Sequence, residues 1–288
     1  MTDIDVTTAH PAPPGASVIV PAHNEAAMIG PCLRAVLESD HDGPVQCVVV
    51  ANGCTDDTVA KARAKAADFA ARGWEFEVLD LPEGGKPGAL NAGDAAALHP
   101  VRIYLDADVE ISPALMGGLV TMLDRPDAAY ASGRVTIPRA RTWVTRAYAR
   151  FYRQVPFMTH GVPGCGLFAV NAAGRARWGD WPGIISDDTF ARLNFAPQER
   201  HGVDAPYSWP LVEGWDALVR VRRRQNAGVD ELARSHPALM ANDDKPRFGP
   251  GAVLAAALKA PAGFAVYGAV ALAVRATRNR ATGWSRGR

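Results

Sequence analysis

Val101-Arg-Ile-Tyr-Leu-Asp-Ala-Asp108 is an apolar run that stops at two acids separated by one residue. A buried strand ending this way delivers a pair of hard oxygen ligands to the edge of a sheet. Carboxylates suit Mg²⁺ or Mn²⁺, and such ions usually keep open positions for substrate phosphates. A metal-bound diphosphate is therefore the ligand to look for beyond this strand. Two exposed acids in a turn give the same short pattern, so the neighbouring segments decide between the readings.

Upstream, strands and helices alternate. Ser17-Val-Ile-Val20 is a short apolar run closed by Pro21, and Asn24-Glu25 open a helical pattern with Met28, Ile29, Leu33, Val36 and Leu37. Val45–Val50 is a second buried run. Thr55 is the expected N-cap of a helix reaching about Arg72, with Asp56 and Asp57 at its positive end. Trp74–Leu79 predicts a third strand, Lys86–Leu98 a helix and Val101–Leu105 a fourth strand. Apolar strands alternating with helices imply a mainly parallel sheet covered on both faces, with ligands beyond the carboxyl ends of its strands. Segments rich in chemistry follow strands one, two and four, so they share that edge.

The second half is less regular. A strand is expected at Tyr130–Ile137, a helix at Arg141–Gln154, a glycine-led strand at Gly164–Val170, a short helix at Asp187–Phe195 and a basic helix at Trp215–Gln225. The aromatic, loop-like stretches 138–165 and 196–215 are the expected seat of acceptor specificity. Residues 1–15 read as a flexible lead-in, 16–245 as one unit and 246–288 as a helical segment with a basic tail. In that segment the apolar pattern over Val253–Val274 is interrupted by Lys259 and Pro261.

The chain has 288 residues, 48% of them hydrophobic, and a formal net charge of +1. That length buries a large core, and near-neutrality argues against nucleic acid as a partner. Cys32, Cys47, Cys54 and Cys165 show no CxxC spacing, which suggests a reducing cytoplasm. The acidic N-terminus has no apolar core for a signal peptide. No uninterrupted apolar run is long enough for a membrane span. The apolar C-terminal helix with its arginine and tryptophan end resembles an interfacial anchor at the inner face of the membrane; a helix packed on the catalytic unit is the alternative.

Taken together, Val20-Pro-Ala-His-Asn-Glu25, Asn52-Gly-Cys-Thr-Asp56, Gly85-Lys-Pro-Gly-Ala-Leu-Asn91, Tyr104-Leu-Asp-Ala-Asp108, Gly164-Cys-Gly166, Ser186-Asp-Asp188 and Arg222-Arg-Arg-Gln-Asn-Ala-Gly228 resemble, in order and spacing, the family 2 glycosyltransferases. The resemblance implies an α/β GT-A fold, Rossmann-like, with a helical C-terminal segment. It further implies an inverting, metal-assisted hexosyltransferase that moves a sugar from a nucleotide diphosphate sugar to a hydroxyl acceptor.

Residue by residue, it places Pro21, His23 and Glu25 at the nucleotide. Asn52 stands where many relatives carry an aspartate that accepts from uracil; an amide both donates and accepts, so the base stays open, and Asn52-Gly53 is also a good turn dipeptide. Lys86 is placed at the diphosphate, or alternatively is a solvated loop lysine. The resemblance gives Mn²⁺ or Mg²⁺ to Asp108 and Asp106 and reserves Asp106 also for ribose; His236 is placed as a further ligand, with a surface histidine as the alternative. Gly166 is placed where the sugar approaches closely. Asp188 is placed as general base and Asp187 as its neighbour, an adjacent acid raising the proton affinity of the base; helix capping is the alternative reading of both. Arg222 and Arg224 are placed at the donor, with a solvated basic face as the alternative. Gln225 replaces the aromatic of processive relatives. A catalytically silent nucleotide-sugar-binding module and a sugar nucleotidyltransferase remain the competing functions.

Overall fold

The computed structural model describes residues 14–277, so the lead-in and the basic tail fall mostly outside it. Eight strands form one sheet: β1 Ala16–Ala22, β2 Val45–Asn52, β3 Glu75–Leu81, β4 Val101–Leu105, β5 Glu110–Ile111, β6 Tyr130–Thr136, β7 Leu167–Val170 and β8 Arg200–Ser208, in the order β3-β2-β1-β4-β7-β6-β8-β5. The half built from β1 to β4 is parallel. Beyond it β7 runs antiparallel to both β4 and β6, and β8 is parallel to β6. The sheet is thus mixed where the sequence predicts a mainly parallel one.

The apolar runs are continuous because both faces are covered. In β1, Val18 and Val20 join the core under the helices Ile29–Leu37 and Pro113–Leu123, whereas Ile19 joins an opposite core with Tyr104, Phe168, Trp178 and Trp181. Pro21 does not end β1 but lies within it. It sits past Ile19, the last β1 residue paired with β4, so its missing N–H forfeits no bond to that neighbour.

Several local expectations are corrected. Thr55 is not a helix cap: its N–H donates to Asn24 Oδ1 at 2.6 Å, and the Asp56 carboxylate instead takes the Thr58 N–H at 3.0 Å. Two short helices, Thr58–Arg63 and Ala66–Ala71, replace the single one expected. The basic helix runs from Trp215 to Ser235 and carries Gly228 inside it. A Cβ on Gly228 would lie 2.3 Å from Ser186 Oγ, so the glycine serves close packing and not a helix stop.

The apolar C-terminal stretch forms two helices, Pro250–Lys259 and Pro261–Ala276, broken at the expected place. The second packs on the helix Trp143–Tyr152, where Gly263 faces the Ala147 carbonyl and Phe151, and Val270 and Val274 are buried. No helix among the described residues is long and apolar enough to cross a membrane.

Candidate functional site

The parallel half of the sheet sends the ends of β1, β2 and β4 to one edge, and antiparallel β7 begins there. Asp106 N–H donates to Gly166 O at 2.8 Å, which ties the first acid after β4 to the glycine before β7. Gly164 and Gly166 both have positive φ, +64° and +73°. Added Cβ atoms there would meet Tyr130 Oη at 1.7 Å and Trp209 Cδ1 at 2.7 Å. Both glycines are therefore required by the protein's own packing, a reason the sequence reading did not supply for Gly166. Replacing Gly166 with Ala is expected to destabilise the fold by about 1–3 kcal/mol through backbone strain and to displace Trp209 from the cavity wall. A thermal melt and Trp fluorescence check this; an unchanged melting temperature refutes it.

At this edge a cavity of about 260 Å³ is lined by Pro21, His23, Glu25, Asn52, Lys86, Asp106, Asp108, Gly166, Asp187, Asp188, Arg222 and Arg224 among others. Twelve residues singled out from the sequence are thus brought together. His236 is not among the lining residues. It ends the helix Trp215–Ser235, with Nδ1 2.8 Å from Ser235 Oγ and its ring against Phe190. Arg223 does not line this cavity either, since successive residues on a helix point in different directions. Of the aromatics in the stretches expected to set acceptor specificity, Tyr148, Tyr152 and Trp209 line it, whereas Tyr207 is core and Trp143 is exposed.

Asn52 is buried and its side chain is committed. Its amide donates to Ala22 O at 3.0 Å and Val50 O at 3.3 Å, and its oxygen accepts from Gly85 N at 2.9 Å. His23 Nδ1 lies 2.6 Å from the Asn52 main-chain oxygen. Together they lock the turn after β1 and the glycine loop before Lys86 onto the end of β2.

Lys86 lies between two acids, 2.8 Å from Asp106 Oδ1 and 2.8 Å from Asp187 Oδ2. Burial works against its charge, but the two carboxylates hold the ammonium well above the usual lysine range. Burial pushes the Asp187 carboxyl up to about 6, with Lys86 opposing that rise and Asp188 and Asp106 adding to it. The acid with raised proton affinity is therefore Asp187, in contact with the lysine. Asp188 Oδ1 accepts from the Thr189 N–H at 2.6 Å. The segment bearing both acids is fixed from two sides: Trp181 N–H donates to Asn91 Oδ1 at 2.7 Å, and Ile185 N–H to Glu231 Oε2 at 3.0 Å.

Asp106 and Asp108 put two hard oxygen donors on the cavity wall, and no cluster of three or more metal-binding side chains occurs among the described residues. This donor set fits Mn²⁺ or Mg²⁺ held by one or two carboxylates, with phosphates and water completing the shell, and does not fit an all-protein cage.

The family model for Glycosyl transferase family 2 matches residues 17–177. The tRNA 5-methylaminomethyl-2-thiouridine biosynthesis bifunctional protein MnmC of Polaromonas naphthalenivorans is 26% identical over 214 residues, 73% of this chain and 30% of that protein. An N-acetylglucosaminyltransferase of Rhizobium leguminosarum bv. viciae is 30% identical over 137 residues, 46% of this chain and 31% of that protein. The chain thus spans about a third of the length of these curated relatives. Among solved structures, the mannosyltransferase PcManGT from Pyrobaculum calidifontis, in complex with GDP-Man and Mn²⁺, superposes with a TM-score of 0.58 at 22% identity, covering 94% of this chain and 81% of that one. At that identity the likeness speaks for the GT-A fold.

Proposed function

The chain belongs to glycosyl transferase family 2, and we propose that it transfers a sugar from a nucleotide diphosphate sugar to a hydroxyl acceptor, with inversion and with Asp188 as general base. One observation carries the reading: a single cavity joins the paired acids after β4 to Asp188 on the segment after β7. Residues 16–245 are read as the catalytic unit and 246–288 as a C-terminal helical segment with a basic tail.

Asp106 and Asp108 would hold Mn²⁺ or Mg²⁺, which when bound supplies Lewis-acid stabilisation to the departing diphosphate. Pro21, His23 and Glu25 form the nucleotide wall, and Asn52 shapes that wall without spending its amide on the base. Lys86 keeps Asp106 and Asp187 from repelling each other and orients Asp187 beside the base. Arg222 and Arg224 add positive charge at the donor. Asp188 takes the proton of the acceptor hydroxyl as that oxygen attacks the anomeric carbon, while the bond to the diphosphate breaks on the opposite face. Release of nucleoside diphosphate from UDP-, GDP- and dTDP-sugars with Mn²⁺ tests the reading. No release from any of them favours a silent binding module, and pyrophosphate formed from a nucleoside triphosphate and a sugar phosphate favours a nucleotidyltransferase.

The C-terminal helices also expose Leu254, Leu258, Phe264 and Leu272, the last 70% accessible, which supports peripheral contact with a membrane surface. The full chain is expected to sediment with anionic liposomes, and a Leu258→Ser/Leu272→Ser variant to remain in the supernatant. Sedimentation of neither, or equally of both, counts against the contact.

A further inference from the structure

A second cavity, of about 1000 Å³, lies between the helices Trp215–Ser235 and Pro261–Ala276. Tyr152, Ser186, Asp188, Trp209, Arg222 and Gln225 line both cavities. Asp188 therefore lies where the two cavities adjoin, within reach of both. The neighbouring arginines divide accordingly: Arg224 lines the first cavity and Arg223 the second.

The second chamber is electrostatically lopsided, with five cationic side chains against two acids, Asp188 and Asp230. Lys245 has its own carboxylate, Asp243 Oδ2 at 3.4 Å. The arginines are supplied differently. Arg222 donates to Tyr267 Oη at 3.0 Å and lies among tyrosine rings. Arg223 donates to Thr277 Oγ1 at 2.6 Å, while its Nε is buried without a hydrogen-bond partner. Arg275 lines the chamber from the opposite helix. None of these three makes an ion pair within 4.0 Å among the described residues. Arg222 and Arg223 are half-buried, and a guanidinium drawn partly out of water without a carboxylate carries a desolvation cost that a bound anion offsets; Arg275 is exposed and adds a second planar fork suited to phosphate oxygens.

We propose that the second cavity is the acceptor chamber and that the acceptor is a hydroxyl compound bearing a phosphate, seated on Arg223 and Arg275 with its hydroxyl at Asp188. The assignment of the hydroxyl rests on the reading of Asp188 as base; the anion seat does not. Two sources share this chemistry, a soluble sugar phosphate and a phospholipid headgroup, so both are used as probes.

Calorimetry measures glucose 6-phosphate, glucose and monomeric dihexanoyl phosphatidylglycerol against the wild-type chain and an Arg223→Gln/Arg275→Gln variant. At least one phosphate probe is expected to bind the wild type, glucose much more weakly, and the variant to lose roughly tenfold or more in affinity for that probe. Whichever phosphate probe binds identifies the source. Binding of neither, binding of glucose equally well, or binding unchanged in the variant overturns the proposal. Melting and nucleoside diphosphate binding report whether the double variant is folded; if it is not, Arg275→Gln alone, at an exposed position, is read by the same criteria. Loss of the anion preference with donor turnover intact defeats this inference alone, whereas anion binding without donor turnover defeats the glycosyltransferase reading and leaves the seat.

Discussion

Asp188→Asn is expected to lower sugar transfer by on the order of a hundred- to ten-thousand-fold, the usual contribution of a positioned general base. The amide keeps an oxygen able to accept from the Thr189 N–H, as Asp188 Oδ1 does at 2.6 Å, so the local backbone should hold. It cannot take a proton from an attacking hydroxyl. Nucleoside diphosphate affinity should change little, because the base acts on the acceptor and not on the leaving group. Asp187→Asn should cost less, since Asp187 is engaged with Lys86 at 2.8 Å. It should also alter the pH profile. The Asp187 carboxyl titrates at about 6, and protonation below that value removes its ion pair with Lys86. An activity limb falling as pH drops through about 6 should therefore be present in the wild type and absent from Asp187→Asn. Near-normal turnover in Asp188→Asn, with Asp187→Asn inactive, would shift the base by one residue.

Asp108→Ala is expected to abolish transfer and to weaken Mn²⁺-dependent binding of nucleoside diphosphate on the order of a hundredfold, several kcal/mol of charge stabilisation being lost with the cation. Lys86 cannot substitute, because its ammonium is already shared by Asp106 and Asp187. Calorimetry with and without Mn²⁺ separates the effects: the wild type should bind far better with the metal and the variant almost equally with and without it. Metal-independent binding by the wild type, unchanged in Asp108→Ala, would remove the metal from the account.

The parallel half was legible because β1, β2 and β4 are buried on both faces and write themselves as unbroken apolar runs ending in polar residues. β8 was not, since Arg200–Ser208 carries a glycine, a proline and alternate exposed positions and pairs with β6 across a register shift. It was read as part of a loop; β6 and β7 were expected as strands, but their antiparallel pairing with each other and with β4 was not. The helix from Trp215 continues well past the expected end at Gln225, and the role of Gly228 inside it, close contact with Ser186, depends on a residue 42 positions away.

The cavity's residues were recoverable from motif order, but their partners were not. Sequence spacing cannot reveal that Lys86 bridges two acids, that Asn52 spends its amide on Ala22, Val50 and Gly85, or that His236 lies apart. The sequence reading sets Arg223 apart from Arg222 and Arg224, but that Arg223 lines a second cavity comes only from the helix packing.

Inverting transfer is read from the anomer first released. The chain is incubated with Mn²⁺ and an α-linked donor such as UDP-glucose, or whichever sugar nucleotide it turns over, and proton NMR follows the free sugar before it mutarotates. Water or an added acceptor attacking from the Asp188 side must give the β product first, alongside stoichiometric nucleoside diphosphate. Initial appearance of the α product would contradict single displacement with Asp188 as base.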